Sequence, residues 1–433
     1  MSLENPSTYY TITRKYNLHY PDLEENIEAE VVIIGGGLTG INTALELAER
    51  GITDVVILEG NYLGFGGSGR NGGHVMAGIG HDLDKISKDV GPEGLEAILN
   101  ISDVGASIIQ ERIKKYDIDA DFQHGYGYLG FNKRQAKTLQ SWQKTFSNLN
   151  PHQEIVYLEG NEVQNIVGSE KYTCALKHMG NGHVHVLNLL LGYAKTFTNV
   201  YGGRIYENTP ALEVKYGEKV VVRTAKGSVK ANKILWACGA FLGKLEPELH
   251  KTTINVYAFN SISEPLSNHL IEQISAIRGA FSDITPIIDY YRVTNENRLM
   301  YGTCGMLLEY VPSDLKAFLH TKMLRLFPYL KDIKLDLAWG GPMECTLNFF
   351  PQIGTLTEHK NVFFAQGYSG FGVTPSHVIA GVIADGMGNG SKAWDAMSSI
   401  PRKQVYGKDN FRRVLCSLGK ITQQIDAYRV GRR

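Results

Sequence analysis

The chain predicts an α/β fold in which a mostly parallel sheet is assembled from segments far apart in sequence, with an antiparallel-sheet domain inserted between them. Three observations predict it. The apolar runs Val31-Val32-Ile33-Ile34 and Val55-Val56-Ile57-Leu58 flank a stretch of helical periodicity; runs of the same kind recur at Ile234-Leu235-Trp236-Ala237 and Val362-Phe363-Phe364-Ala365; and the stretches 86–151 and 251–334 are richer in Tyr and Phe, with alternating patterns. A run that is apolar at every position suits a strand covered on both faces.

Taken in order, residues 1–28 read as an N-terminal arm. Leu38, Ile41, Leu45 and Ala48 recur at helical spacing and Gly51 marks the stop, so 31–58 reads as one βαβ unit. Residues 220–237 read as strand, turn at Ala225-Lys226-Gly227, and strand. In the inserted region, strands are expected over 252–261 and 298–303. The run at 362–365 opens onto a glycine-rich turn and a helix from Ser376 to about Met387, with Thr374 as N-cap and Pro375 at the first helical position. The resulting division assigns 29–85, 152–250 and 335–395 to the parallel-sheet domain, 86–151 and 251–334 to the inserted domain, and 396–433 to a basic tail read as a solvated amphipathic helix.

Composition narrows the partners. Lys plus Arg and Asp plus Glu each number 44 in 433 residues, so no net field draws the chain to nucleic acid or anionic lipid. Five cysteines, an odd count without a C-x-x-C pair, read as reduced thiols, and no run approaches the ~18 apolar residues of a membrane span. A cytoplasmic protein with a small-molecule partner and no membrane insertion is expected. Glycine is the outlier, with 47 residues clustered at turns between apolar runs.

G-x-G-x-x-G occurs four times, starting at Gly35, Gly64, Gly67 and Gly125, and only the first stands between an apolar strand and a periodic helix. There Gly35 allows the tight turn, Gly37 lets a pyrophosphate approach the backbone, and Gly40 lets helix and strand pack closely, which makes the unit Rossmann-like. Glu59 ends the second strand 19 residues after Gly40, where a carboxylate would accept from an adenosine ribose. The fingerprint leaves NAD and FAD both open. Six glycines between Gly64 and His74, with Ser68, Arg70 and Asn71 among them, could wrap a cofactor, and the turn 367–372 ahead of a helix could stabilise negative charge on a reduced flavin. No P-loop or nucleophile elbow is present, and His183 and His185 have no further ligand at metal spacing, so they read as structural.

The fingerprint with Glu59, the run 64–73, Gly182-His183-Val184-His185, Trp339-Gly340-Gly341, Pro351-Gln352-Ile353-Gly354 and Gln366-Gly367-Tyr368-Ser369-Gly370 together resemble the D-amino-acid-oxidase-like FAD oxidoreductases, nearest the γ-glutamylputrescine oxidase subgroup. The resemblance runs from about Ser7 into the tail. It implies noncovalent FAD, oxidation of an acylated diamine to an imine that hydrolyses to aldehyde and ammonia, and dioxygen or another acceptor reoxidising the flavin, with hydrogen peroxide as the product of dioxygen. Alternatives within it are oxidation of glycine, N-methylglycine or a D-amino acid; a flavin-binding protein without turnover is a third reading. FAD contacts implied are Gly35, Gly37, Leu38, Thr39, Gly40, Glu59, Gly67, Ser68, Arg70, Asn71, Gly72, Gly73, His74, the backbone at Val214, Gly239, Gly370, Phe371, Gly372, Val373 and Thr374. Phe371 replaces a His common in the family, His74 stands where the subgroup often has Gln, and Gly341 takes the place of a flavin-linking Cys. Tyr368 and Phe371 are the first candidates for aromatic substrate walls, followed by His74, Tyr290, Tyr291, Tyr301 and Trp339.

Overall fold

In the computed structural model, which describes residues 7–80, 83–285, 287–306 and 311–405, Asn26–Ile34 pairs in parallel with Ser228–Trp236 on one side and Val55–Leu58 on the other. Val362–Gln366 and Arg204–Tyr206 extend this sheet in parallel, and Gln352–Thr355 closes an edge antiparallel. The four apolar runs share one sheet because alternate residues enter different cores. Val31, Ile33, Val55, Ile57, Leu235 and Phe363 pack with the helices Leu38–Glu49 and Val373–Met387. Val32, Ile34, Val56, Leu58, Ile234 and Phe364 face the opposite way, towards Val220, Val222 and Leu249.

The second sheet runs in the order Leu335–Thr346, Thr253–Pro265, Arg298–Met306, Asp289–Val293, Ala280–Asp283, Gln123–Gly130, Cys174–His183, His74–Val75, with Ile155–Glu159 on Cys174–His183. It is antiparallel except for Ala280–Asp283 beside Gln123–Gly130. Its membership corrects the division drawn from sequence: 155–159, 174–183, 335–346 and 74–75 hydrogen-bond into this sheet, not the parallel one. The reason is that Cys174–His183 is largely buried yet carries Lys, Asn, Gly and His instead of an apolar run, so its burial is not written as hydrophobicity.

Both termini depart from the expected picture. The arm is docked: Tyr10 is fully buried, edge-on to His185 and Trp339, and its hydroxyl accepts from Arg292 Nη2 at 3.2 Å. At the other end, Lys392–Ser399 is a helix that buries Ala393, Ala396 and Met397, so the boundary at 396 falls inside a packed element. Residues 406–433, most of the basic tail, lie outside the described residues.

The turn after the first strand is held by backbone proximity. Gly35 has φ +115°, and a Cβ on Gly40 would stand 2.0 Å from the Gly35 carbonyl oxygen. Gly40→Ala is therefore expected to destabilise the fold by about 1–3 kcal/mol, read as a lower thermal midpoint; an unchanged midpoint would show that the turn can open.

Four of the interior histidines carry the pH dependence of the fold. Burial holds His74, His185 and His377 at about 3 and pushes His183 well below its ordinary value, with Arg292 adding to the effect on all but His377, where Arg112 does so. In the unfolded chain these rings titrate near 6.5, so the unfolded state takes up protons first and stability is lost as pH falls below that value. At pH 5.5 the loss is about 1.4 kcal/mol per ring, about 6 kcal/mol for four. The thermal midpoint should drop steeply between pH 7 and 5.5; a flat profile contradicts neutral buried imidazoles.

Candidate active site

A cleft of about 460 Å³ opens where the parallel sheet meets the second sheet. Gly35, Gly37, Leu38, Thr39 and Glu59 form one wall, and Gly67, Ser68 and Asn71 a second. Gly239 forms part of a third; Tyr368, Gly370, Gly372 and Val373 form the fourth. Five separated segments are thus brought to one cavity.

Local bonds explain the walls. The helix Leu38–Glu49 starts at Gly37 without a side-chain cap of its own; Leu38 N–H donates instead to Ser68 Oγ at 2.9 Å, and a Cβ on Gly37 would meet that oxygen at 2.8 Å. Gly37 therefore also makes room for Ser68, beyond the role expected for it. Thr39 Oγ1 donates to the Tyr368 hydroxyl at 2.9 Å, tying the first helix to the last turn. Burial pushes the Tyr368 phenol upward, so it stays protonated. Glu59 Oε2 accepts from Gly36 N–H at 2.7 Å and Oε1 from Asn61 N–H at 2.8 Å; burial raises this carboxyl, and the two backbone bonds counter the rise.

Other expected residues stand behind the walls. Gly40 supports the turn from below. Arg70 is buried with its guanidinium 4.6 Å from the Phe65 ring centroid, and its Nη2 has no hydrogen-bond partner among the described residues. Gly72 O accepts from Arg292 Nε at 2.7 Å, Gly73 O from Val184 N–H at 2.8 Å, and His74 pairs with His183 in the second sheet. Phe371 is half-buried beside Gly78. Thr374 is not the N-cap: the helix begins at Val373 after Gly372, and Thr374 Oγ1 accepts from Met76 N–H at 2.9 Å, away from the cleft. Val214 lies on the hairpin strand Glu213–Lys215, and Pro210 and Ala211 line the cleft in its place.

Strand parity removes two aromatic candidates. Tyr291 is paired with Tyr301 and Tyr290 with Gly302, so neighbouring tyrosines face opposite sides. Tyr291 and Tyr301 enter a separate core with Leu319, Met323 and Phe327, whereas Tyr290 covers Gly302 and meets His74 edge-on at 5.3 Å. Trp339 is a brace: its Nε1–H donates to Arg70 O at 2.8 Å, joined there by Asn260 Nδ2 at 3.0 Å.

The sequence reading missed Cys238, Met343 and Glu344, which line the cleft. Glu344 carried no motif; only its position in the strand after Trp339-Gly340-Gly341 could have suggested it. Burial lifts the Cys238 thiol far up, so it is not a thiolate. Among the described lining residues there are two glutamates and no lysine or arginine, so phosphate charge has to be met by backbone N–H groups and the helix dipole at Gly37–Leu38. The residues fit a dinucleotide: a helix N-terminus without a cap of its own, a carboxylate at the second strand's end, and the unpartnered Arg70 Nη2 in the loop beside them.

Comparison with known proteins agrees. A family model described as FAD dependent oxidoreductase, DAO, matches residues 30–386. The chain is 35% identical over 417 residues to the gamma-glutamylputrescine oxidoreductase of Escherichia coli (strain K12), covering 96% of this chain and 97% of that protein. Among solved structures it is similar to glycine oxidase from Geobacillus kaustophilus, with TM-score 0.69, 20% identity, and 87% of this chain and 99% of that one covered. L-proline dehydrogenase from P. horikoshii gives TM-score 0.69 at 18% identity, over 90% of this chain and 99% of that one, so both share the fold. The match over most of its length, together with the cleft its glycines build, places this chain in the DAO family of FAD-dependent oxidoreductases.

Proposed function

We propose that this chain oxidises the amine end of an acylated diamine of the γ-glutamylputrescine type, using noncovalently held FAD, with dioxygen as terminal acceptor. Bound in the cleft, FAD supplies a two-electron acceptor for the hydride on the amine carbon. The chain's task is to receive the amine uncharged. An alkylammonium of pKa about 10.4 is only on the order of 0.1% neutral near pH 7, and a shift of about 3 units corresponds to about 4 kcal/mol of differential solvation. Buried aromatic groups disfavour the cation, and the wall proposed for it is the pair Tyr290 and His74, which meet edge-on against Gly72. His74 Nδ1 lies 3.1 Å from the Tyr126 hydroxyl, which donates to Ser282 Oγ at 2.8 Å. His74 then donates from Nδ1, leaving Nε2, unpartnered among the described residues, as an acceptor for an amine N–H. Burial, reinforced by Arg292, holds the ring at about 3, so it serves as an acceptor and not as an acid.

The observation that carries the reading is the engagement of Arg292. Its guanidinium donates to Gly72 O and to Tyr10, and Nη1 lies 3.3 Å from His183 Nδ1. Arg298, the other arginine considered for a substrate carboxylate, pairs with Asp336. An amino acid substrate requires a fixed cation for its carboxylate; a carboxylate-poor amine end does not. The similarity to a gamma-glutamylputrescine oxidoreductase supports the same choice.

Anaerobic addition of γ-glutamylputrescine, putrescine, glycine, N-methylglycine and D-alanine to the yellow protein tests this. Bleaching at the lowest concentration is expected with γ-glutamylputrescine, followed by hydrogen peroxide when air is admitted. Bleaching led by an amino acid, or by none of the panel, contradicts the reading.

A further inference from the structure

Glu59 has a place in the nucleotide fit, but the second carboxylate of the cleft, Glu344, does not. It belongs to the strand Leu335–Thr346, is 8% exposed, and lines the cavity beside Met343 and Tyr368. Its Oε2 accepts from Gly367 N–H at 2.8 Å and its Oε1 from Thr253 Oγ1 at 2.9 Å, while its own carbonyl accepts from Ser369 N–H at 2.9 Å. No lysine, arginine or histidine pairs with it among the described residues, and burial raises its carboxyl against the two neutral donors. A carboxylate without a counterion in a low-dielectric wall is costly unless its hydrogen bonds are worth the desolvation.

The donors show what those bonds hold. Gly367, Ser369 and Gly370 have φ of +74°, +56° and +88°, a left-handed turn that non-glycine residues rarely adopt. The turn leads into Gly372 and the N-terminus of Val373–Met387, which form the cleft wall. Glu344 grips it at two points, one through its side chain and one through its backbone. The residue that makes this grip also lines the cavity a cofactor takes. Resting on the assignment of FAD to this cleft, we infer that Glu344 is a positioning residue with two effects: it holds the 367–370 turn against the cofactor, and its negative charge makes the bound flavin harder to reduce. Electrons added to a ring beside a fixed anion raise the energy of the reduced state, and the effect is largest where water is excluded.

Two substitutions separate the effects. In Glu344→Gln the amide oxygen can still accept from Gly367 and the amide nitrogen can donate to Thr253, so the turn is kept and only the charge is removed. This variant is expected to retain FAD and to show a flavin reduction equilibrium shifted at least tenfold towards the reduced form, about 30 mV for a two-electron couple, measured by reductive titration against a reference dye without any amine. Glu344→Ala loses both side-chain bonds and is expected to release FAD at least tenfold more readily on dilution. An unchanged potential in Glu344→Gln overturns the electrostatic role, and wild-type FAD retention in Glu344→Ala overturns the clamp. A wild-type chain that binds no FAD would instead refute the site itself, and because no amine enters the titration, an error in the proposed substrate leaves the result intact.

Discussion

The structure depends on one close approach. The helix Leu38–Glu49 can start directly above the first strand only because nothing stands between the Gly40 Cα and the Gly35 carbonyl oxygen. That contact aims the helix N-terminus into the cleft, and in a wall without lysine or arginine among its described residues the N-terminus is the source of positive potential for a phosphate. The neighbouring strand end delivers Glu59, whose oxygens are already oriented by Gly36 and Asn61. Preorganisation of this kind means that little has to be reordered when a nucleotide enters.

The second sheet converts this nucleotide grip into a defined chamber. The glycine-rich loop from Gly64 to His74 has few side chains with which to hold itself, and it is fixed from outside through its carbonyls. Trp339 and Asn260 donate to Arg70 O, Arg292 to Gly72 O, and Val184 to Gly73 O. Tyr10 of the arm completes the bracing by packing on Trp339 and meeting Arg292. Arg292 is therefore a structural cation among neutral acceptors, and its field adds to the burial that holds the adjacent imidazoles of His74, His183 and His185 neutral. The same arrangement that shapes the loop leaves the site no free guanidinium from Arg292, and Arg298 on the same sheet is held by Asp336.

The parallel sheet, the glycine motif that stands between strand and helix, and the meeting of Gly35, Gly37, Glu59, Ser68 and Gly370 along one cleft were legible because their signals are local: an apolar run, a periodic helix, a turn. What was not legible depends on register and on burial of polar residues. Tyr291 and Tyr290 are adjacent in sequence, and only the ladder with Arg298–Met306 decides which of them turns inward. Cys174–His183 is a central strand without an apolar run, so the domain boundary was drawn on the wrong side of it. Thr374 carries the composition of a cap, but its hydroxyl is claimed by Met76 across 298 residues. Glu344 sits in a strand where a charged residue would ordinarily be read as solvent-facing.

The central claim is that the isoalloxazine end of FAD lies against the 367–372 turn while its adenosine end lies at Glu59. A crystal structure of the chain with FAD bound tests this directly. The account predicts the ribose hydroxyls at Glu59, the pyrophosphate at the N-terminus of Leu38–Glu49, and the ring system between that helix and Tyr368. A cofactor found in the reverse orientation, or in a cavity that excludes Glu59 and Tyr368, would contradict it.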